Sequence, residues 1–190
     1  MIEPISIGIK GHVIIKDLET NEIVLDKTNA IHPQNMASLI SRAISRDLHG
    51  YISTLEFGNG GTFLNSSQQL VYRPPNIVGS AVLYNPTYLV QVDDFSVGTP
   101  PTNSVTSASS TPPAITSVVT VTAVIPADEP NGQATADNIT VDSVAAPFFF
   151  DEIGLKNDAG DLLTHLVFSP FEKTSNRAFK IVYTLTISVS

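Results

Sequence analysis

Two pairs of adjacent carboxylates, Asp93-Asp94 and Asp151-Glu152, and four histidines, His12, His32, His49 and His165, are the side chains here best suited to proton transfer or metal binding. Adjacent residues on a strand point to opposite faces, so neither acidic pair is a ready-made general acid and base. The histidines sit in separate segments with no i, i+4 pair, and a metal site would have to be assembled by the fold alone. Asn157-Asp158-Ala159-Gly160-Asp161 lacks the terminal glutamate of a calcium loop. No Gly-x-Ser-x-Gly elbow occurs. With no cysteine in the chain, disulfides, thiolate catalysis and sulfur-ligated zinc are excluded. The residues therefore point to no catalytic group, no metal and no cofactor.

One glycine-rich stretch invites a phosphate reading. Gly58-Asn59-Gly60-Gly61 has neither the spacing of a dinucleotide fingerprint nor the Lys-Ser/Thr of a phosphate loop. A tight turn is the simpler reading. Three glycines and an asparagine tolerate positive φ, and Phe57 closes the strand before them. A second frame, Phe150 to Leu155, returns near the C-terminus.

The elements that would position these residues follow from pattern. His12 to Asp17 and Ile23 to Asp26 are β-branched runs around the polar loop Glu19-Thr20-Asn21-Glu22, a hairpin. A helix is expected over about 33–48, with Pro33 at its first position and Gly50 at a left-handed exit. Met36, Leu39, Ile40, Ala43, Ile44 and Leu48 form its apolar stripe, which must bury against a sheet. Residues 51–57 read as a strand. Beyond the glycine turn, proline and asparagine punctuate short extended segments, and 98–114, nearly all Ser, Thr, Pro, Gly and Asn, reads as a long loop, linker or flexible arm.

Ile115 to Ile125 is the longest β-branched run, a strand. Asp128 to Gly132 turns the chain, Asn138 to Val144 offers another short strand, and Asn157 to Asp161 supplies a hairpin turn before Leu162 to Phe168. From Phe179 to Ser190 apolar and polar residues alternate strictly, so one face is buried. In Phe148-Phe149-Phe150 at least one ring must face away from the core, to be covered by a second layer or by a partner chain.

At 190 residues the chain suits one domain with a substantial core or one domain with a large insertion. Its formal charge of −8 argues against nucleic acid, which needs clustered Lys and Arg. The N-terminus lacks the features of a secretory signal, and the apolar runs are too short to span a bilayer, so the chain reads as soluble, with no membrane partner. The sequons at Asn65 and Asn138 read as chance matches.

The succession of Asn29-Ala30-Ile31, an amphipathic helix, Ile52 to Phe57 running into Gly58-Asn59-Gly60-Gly61-Thr62, and then Asp151-Glu152-Ile153-Gly154-Leu155, a turn with Asp158 and Gly160, Phe168-Ser169-Pro170, Lys173 and a closing alternating strand resembles virion structural proteins of tailed bacteriophages. It looks most like the small sandwich-type modules of tail-fibre attachment, collar and neck proteins. The matching parts are 12–62 and 148–190. The resemblance implies a non-enzymatic subunit in the virion, assembled in the host cytoplasm, whose partners are other neck, tail or fibre proteins and further copies of itself in a symmetric homo-oligomer. Because the chain stops at Ser190 where fibre proteins continue, a collar, adaptor or decoration role is expected over a fibre. An arm at 98–114 could order on a neighbour, in which case deleting 99–113 would leave the monomer folded.

Together these readings predict a mainly β fold, an antiparallel β-sandwich or barrel-like sheet with one packed helix. Its frame would be 1–62 plus 148–190, with a β-rich insertion at 63–147. Core candidates are Val13, Ile15, Leu39, Ile40, Ile44, Leu55, Phe57, Ile153, Leu155, Leu166, Phe168, Ile181, Tyr183 and Leu185. Interface or turn candidates are Phe57, Gly58, Asn59, Gly60, Gly61, Phe148, Phe149, Tyr84 and Tyr88. The alternative function is a receptor- or glycan-binding or head-decoration module, with Tyr72, Tyr84 and Tyr88 as stacking surfaces.

Overall fold

A computed structural model describes residues 6–92, 103–110, 116–130 and 148–189. The chain is mainly β, with a single helix among the described residues and a large antiparallel sheet that curls into a half-barrel. The elements are β1 (Ile7–Asp17), β2 (Ile23–Ile31), α1 (Pro33–Ser45), β3 (Ile52–Gly58), β4 (Thr62–Leu64), β5 (Leu70–Tyr72), β6 (Pro86–Gln91), β7 (Ser104–Ser109), β8 (Thr116–Ile125), β9 (Phe148–Asn157), β10 (Thr164–Lys173) and β11 (Phe179–Val189). Nine strands form one sheet in the order β6-β3-β9-β10-β2-β1-β11-β8-β7, and β4 and β5 form a separate hairpin.

The curl is made at β2. Its residues from Ile23 to Asn29 pair with β1, whereas Ala30 and Ile31 pair with His165 and Thr164 of β10. By changing partner, β2 folds one half of the sheet over the other, so the inward residues of both halves meet in one core. Val13 and Ile15 of β1 and Ile181, Tyr183 and Leu185 of β11 come from one half. Leu55 and Phe57 of β3 and Ile153 and Leu155 of β9 come from the other. Tyr183 Oη donates across the core to Thr164 Oγ1 at 2.6 Å, so the one polar atom of that ring is satisfied. The alternation of β11 thus buries the expected face.

The stretch 63–147 contributes strands to this same sheet. β6 lies beside β3, and β8 lies beside β11, adding Val90, Val121, Ala123 and Ile125 to the core. β7 lies inside the segment expected to be a loop or arm. Its serines and threonines pair along β8 from Ser104↔Thr122 to Ser109↔Ser117, because β-compatible residues on an exposed edge need backbone partners more than apolar burial. Deleting 99–113 would therefore remove a strand. The expected strand Asn138–Val144 and the end of the turn at Asn131-Gly132 lie outside the described residues.

The helix begins as expected and ends early. His32 is its N-cap, with Nδ1 accepting from the Asn35 N–H at 3.2 Å, and Pro33 follows. Arg46, at φ 60°, takes the left-handed position assigned to Gly50. Gly50 instead passes so close to the helix that a Cβ there would lie 2.6 Å from the Ala43 nitrogen. Met36 is buried, and Leu39 and Ile40 pack against the core partly buried. Ile44, expected in the core, is 80% exposed on the helix's solvent side, and Leu48, also 82% exposed, lies beyond the end of the helix at Ser45.

A second, smaller layer covers the outer face of β9 and β10. Ala81 and Leu83, from the loop after β5, pack on Leu162. Gly154 leaves the room for them: a Cβ there would meet Leu162 Cδ1 and the Thr164 carbonyl at 2.6 Å. Beneath this layer lies the acidic pair of β9.

Candidate interaction site

Asp151 sits where the ladder between β9 and β10 slips, between the pairs Val167↔Glu152 and Phe171↔Phe150. The slip breaks the alternation of β9 and turns the Asp151 carboxylate out of the core. Adjacent carboxylates expected to diverge thereby converge on one turn. Asp151 Oδ1 accepts from the Gly61 N–H and Oδ2 from the Thr62 N–H, both at 2.8 Å, with the Thr62 hydroxyl also donating to Oδ2.

Glu152 is fully buried and holds more. Its Oε1 accepts from the N–H groups of Gly60 at 3.1 Å and Asn85 at 2.8 Å. Its Oε2 accepts from the Tyr84 N–H at 2.9 Å and from His165 at 3.0 Å. The histidine's other nitrogen, Nδ1, accepts from the Asn76 N–H at 2.8 Å. Nδ1 must then be the bare nitrogen, so Nε2 carries the proton that Glu152 receives. One carboxylate thus ties together the glycine turn, the Tyr84-Asn85 segment and, through His165, the loop at Asn76.

The two acids titrate in opposite directions. Burial works to raise Glu152, but hydrogen bonds from His165, Asn85, Tyr84 and Gly60 outweigh it and hold the carboxyl below the usual glutamate value. For Asp151 burial prevails over the bonds from Thr62 and Gly61, and the charge of Glu152 adds to it, so the carboxyl is raised. Such a divergence can mark an acid and base pair. Here both groups are buried and their oxygens are occupied by main-chain and side-chain donors, so the arrangement anchors backbone.

The anchored segments carry apolar groups outward. Hairpin β4–β5 pairs Thr62↔Tyr72, Phe63↔Val71 and Leu64↔Leu70, which puts Leu64, Leu70 and Tyr72 on one face and Phe63 on the other. All four are exposed, as are Val78 and Val82 in the following loop. So short a hairpin is marginal by itself. It is held by Asp151 at Thr62, by the bond from the Arg73 N–H to the Gly61 carbonyl at 2.8 Å, and by Asn65 Oδ1, which accepts from the N–H groups of Ser67 and Gln69 at its tip. The Arg73 guanidinium lies over both Phe63 and Tyr84, at 5.5 and 4.9 Å from the ring centres. The loop is tied by Tyr84 Oη to the Pro74 carbonyl at 2.7 Å and by His32 Nε2 to the Gly79 carbonyl at 3.0 Å.

The residues singled out from sequence take different places. Phe57 is wholly buried in the core, so it is no interface residue: its parity on β3 faces inward. Gly58 and Gly61 are buried and Asn59 and Gly60 half-buried. None of Gly58, Asn59, Gly60 and Gly61 has a positive φ, unlike Gly79 and Gly160. Glycine is needed there for close approach: a Cβ on Gly58 would lie 2.5 Å from the Asn85 carbonyl oxygen, and one on Gly60 2.7 Å from the Asn85 nitrogen. Phe150 is in the core, Phe148 is half-buried, and Phe149 is 43% exposed, facing outward as three successive rings on a strand require. Tyr88 is half-buried against Phe150, and the Tyr84 ring has Arg73 and His165 as neighbours, which leaves Tyr72 as the exposed ring of the three tyrosines.

The histidines do not meet. His12 pairs with Asp26 and His49 with Asp158, while His32 caps the helix and His165 serves Glu152. Among the described residues no group of three or more His, Cys, Asp or Glu side chains converges as a metal site. Asp93 and Asp94 lie outside the described residues. Sequence reasoning passed over Asp151, Glu152 and His165 as the hub; the available signal was an acidic pair inside an otherwise apolar strand, where charge has to be matched by donors. No family model matches the chain, and neither a curated protein nor a solved structure was found to be similar to it.

Proposed function

We propose that this chain is a non-enzymatic structural subunit of a tailed-phage virion, acting through protein–protein contacts at the neck, collar or tail. The observation that supports a contact role is the hairpin β4–β5, which holds Phe63, Leu64, Leu70 and Tyr72 exposed on a base fixed by buried carboxylates. Exposed apolar side chains on a rigid support are what a protein partner covers, and they have little use in isolation. The phage assignment itself rests on the resemblance of 12–62 and 148–190 to virion modules.

Immunogold electron microscopy of purified particles from the source, with antibody to this chain, tests the assignment. Label at the neck or tail is the expected result. Label over the head would make the chain a decoration protein, and absence from purified particles would remove the virion reading. A glycan array adds a second arm: this reading expects no hits.

A further inference from the structure

Residues 75–80 lie between the hairpin β4–β5 and β6 with no regular structure of their own, and none of them is buried. Apolar packing therefore does little to hold them. Among the described residues, two hydrogen bonds tie the backbone of this segment to the rest of the chain, and both end on a buried histidine. The Asn76 N–H donates to Nδ1 of His165 at 2.8 Å, and the Gly79 carbonyl accepts from Nε2 of His32 at 3.0 Å. Both rings work in one protonation state. His165 accepts at Nδ1 and donates from Nε2 to Glu152, while His32 accepts the Asn35 N–H at Nδ1 and donates from Nε2 to Gly79. Each is neutral, with its proton on Nε2.

A proton taken up by either ring must go to Nδ1, where it meets a main-chain N–H. On His165 the bond to Glu152 survives as an ion pair, but the Asn76 N–H loses its acceptor and faces a second donor. Asn76 has to move away. On His32 the new N–H faces the Asn35 N–H at the positive end of α1, whose first turn holds no acid. The ring has to leave the cap, and Nε2 leaves Gly79 with it. The surrounding charges do not replace what is lost. Asp151 is committed to Gly61 and Thr62, Arg73 lies over the Tyr84 ring that neighbours His165, and among the described residues no charged side chain bonds to His32. We propose that His32 and His165 form an acid-released latch, in which proton uptake frees residues 75–80 from the sheet and the helix while the frame stays folded. The released segment binds more protons than the latched one, so falling pH favours release. Histidine ordinarily gains its proton between about pH 8 and 5, a range through which Glu152 stays charged and keeps its main-chain donors. This device goes beyond the virion reading and does not depend on it.

The test follows the full ¹⁵N-labelled chain by NMR from about pH 7.5 to about pH 5, where histidine ordinarily titrates. Imidazole nitrogen shifts report the tautomer and charge of each ring, and relaxation reports backbone order. At the neutral end both rings should carry their proton on Nε2 alone. As Nδ1 protonates, the order parameters of residues 76–80 should fall from about 0.85 to below about 0.6, while those of β11 stay near 0.85. His165→Asn puts an acceptor that does not titrate near the Nδ1 position, and His32→Asn keeps a good N-cap without a titrating ring. In the double variant the order of 76–80 should no longer respond to pH; if that variant does not fold, the wild-type titration decides alone. An Nδ1–H tautomer in either ring at the neutral end overturns the proposal. So does a segment that stays ordered at the acid end, one that loosens only together with β11, or a folded double variant that still responds. Absence of the chain from purified particles would overturn the virion reading and leave this one standing.

Discussion

Replacing Glu152 by Gln keeps the shape of the side chain and removes its charge. In the wild type, Oε1 serves Gly60 and Asn85 and Oε2 serves Tyr84 and His165. A glutamine carbonyl can keep the first two donors, but its NH₂ must then face the Tyr84 N–H and the His165 Nε2–H. His165 cannot simply exchange tautomers, because Nδ1 already receives the Asn76 N–H. Two buried donors lose their acceptor, at about 1–3 kcal/mol each, and part of this returns because no buried ion need be desolvated. A net loss of about 2–4 kcal/mol is expected, which for a chain of this length lowers the melting midpoint by roughly 10 °C. Urea and thermal unfolding measure the global effect, and amide exchange locates it: Gly60, Tyr84 and Asn85 should lose more protection than the amides of β11. A midpoint within about 1 °C of wild type, or unchanged exchange at Tyr84 and Asn85, would refute the anchoring role.

Glu152 also sets an acid dependence: its folded carboxyl lies below the unfolded value of 4.5, so its contribution is complete above that value and is lost as pH falls through the folded one. The stability gap between wild type and Glu152→Gln should therefore narrow as urea titrations move into that acid range, and a constant gap would contradict the assignment. Lys173 carries the opposite lesson. Its Nζ donates to the carbonyls of Ala127 at 2.8 Å and Thr174 at 3.0 Å, and burial pushes it down to about 8 against the pull of Asp128 and Glu129. Between about 8 and 10.5 the unfolded chain binds more protons, so wild type should gain on Lys173→Met as pH rises through that window, by urea unfolding. Gly60→Ala should cost about 1–3 kcal/mol by overpacking against Tyr84 and Asn85, read as a lower melting midpoint with β11 exchange order preserved. Ile44→Ser should shift stability by less than about 0.5 kcal/mol, whereas Ile181→Ala in the core should cost about 2–5 kcal/mol.

Pattern alone determined a good deal of this protein. The alternation of Phe179 to Val189, the β-branched run ending at Ile125, the turn at Asn157–Asp161 and the start of the helix at Pro33 are local facts. Each depends on periodicity or on the backbone preference of a few neighbouring residues, and each element formed where those preferences pointed. Tertiary structure decided what those elements meet. Whether each residue of the apolar stripe of α1 is buried depends on what the fold packs against it: Met36 is buried, whereas Ile44 is 80% exposed. Whether a Ser/Thr stretch pairs depends on a free neighbour such as β8, and whether a glycine is there for φ or for room depends on the chain passing beside it. The hub at Glu152 gathers Gly60, Asn76, Tyr84, Asn85 and His165 across wide gaps in sequence. Strand pairing brings those donors to one carboxylate, and neither residue type nor spacing along the chain carries that convergence.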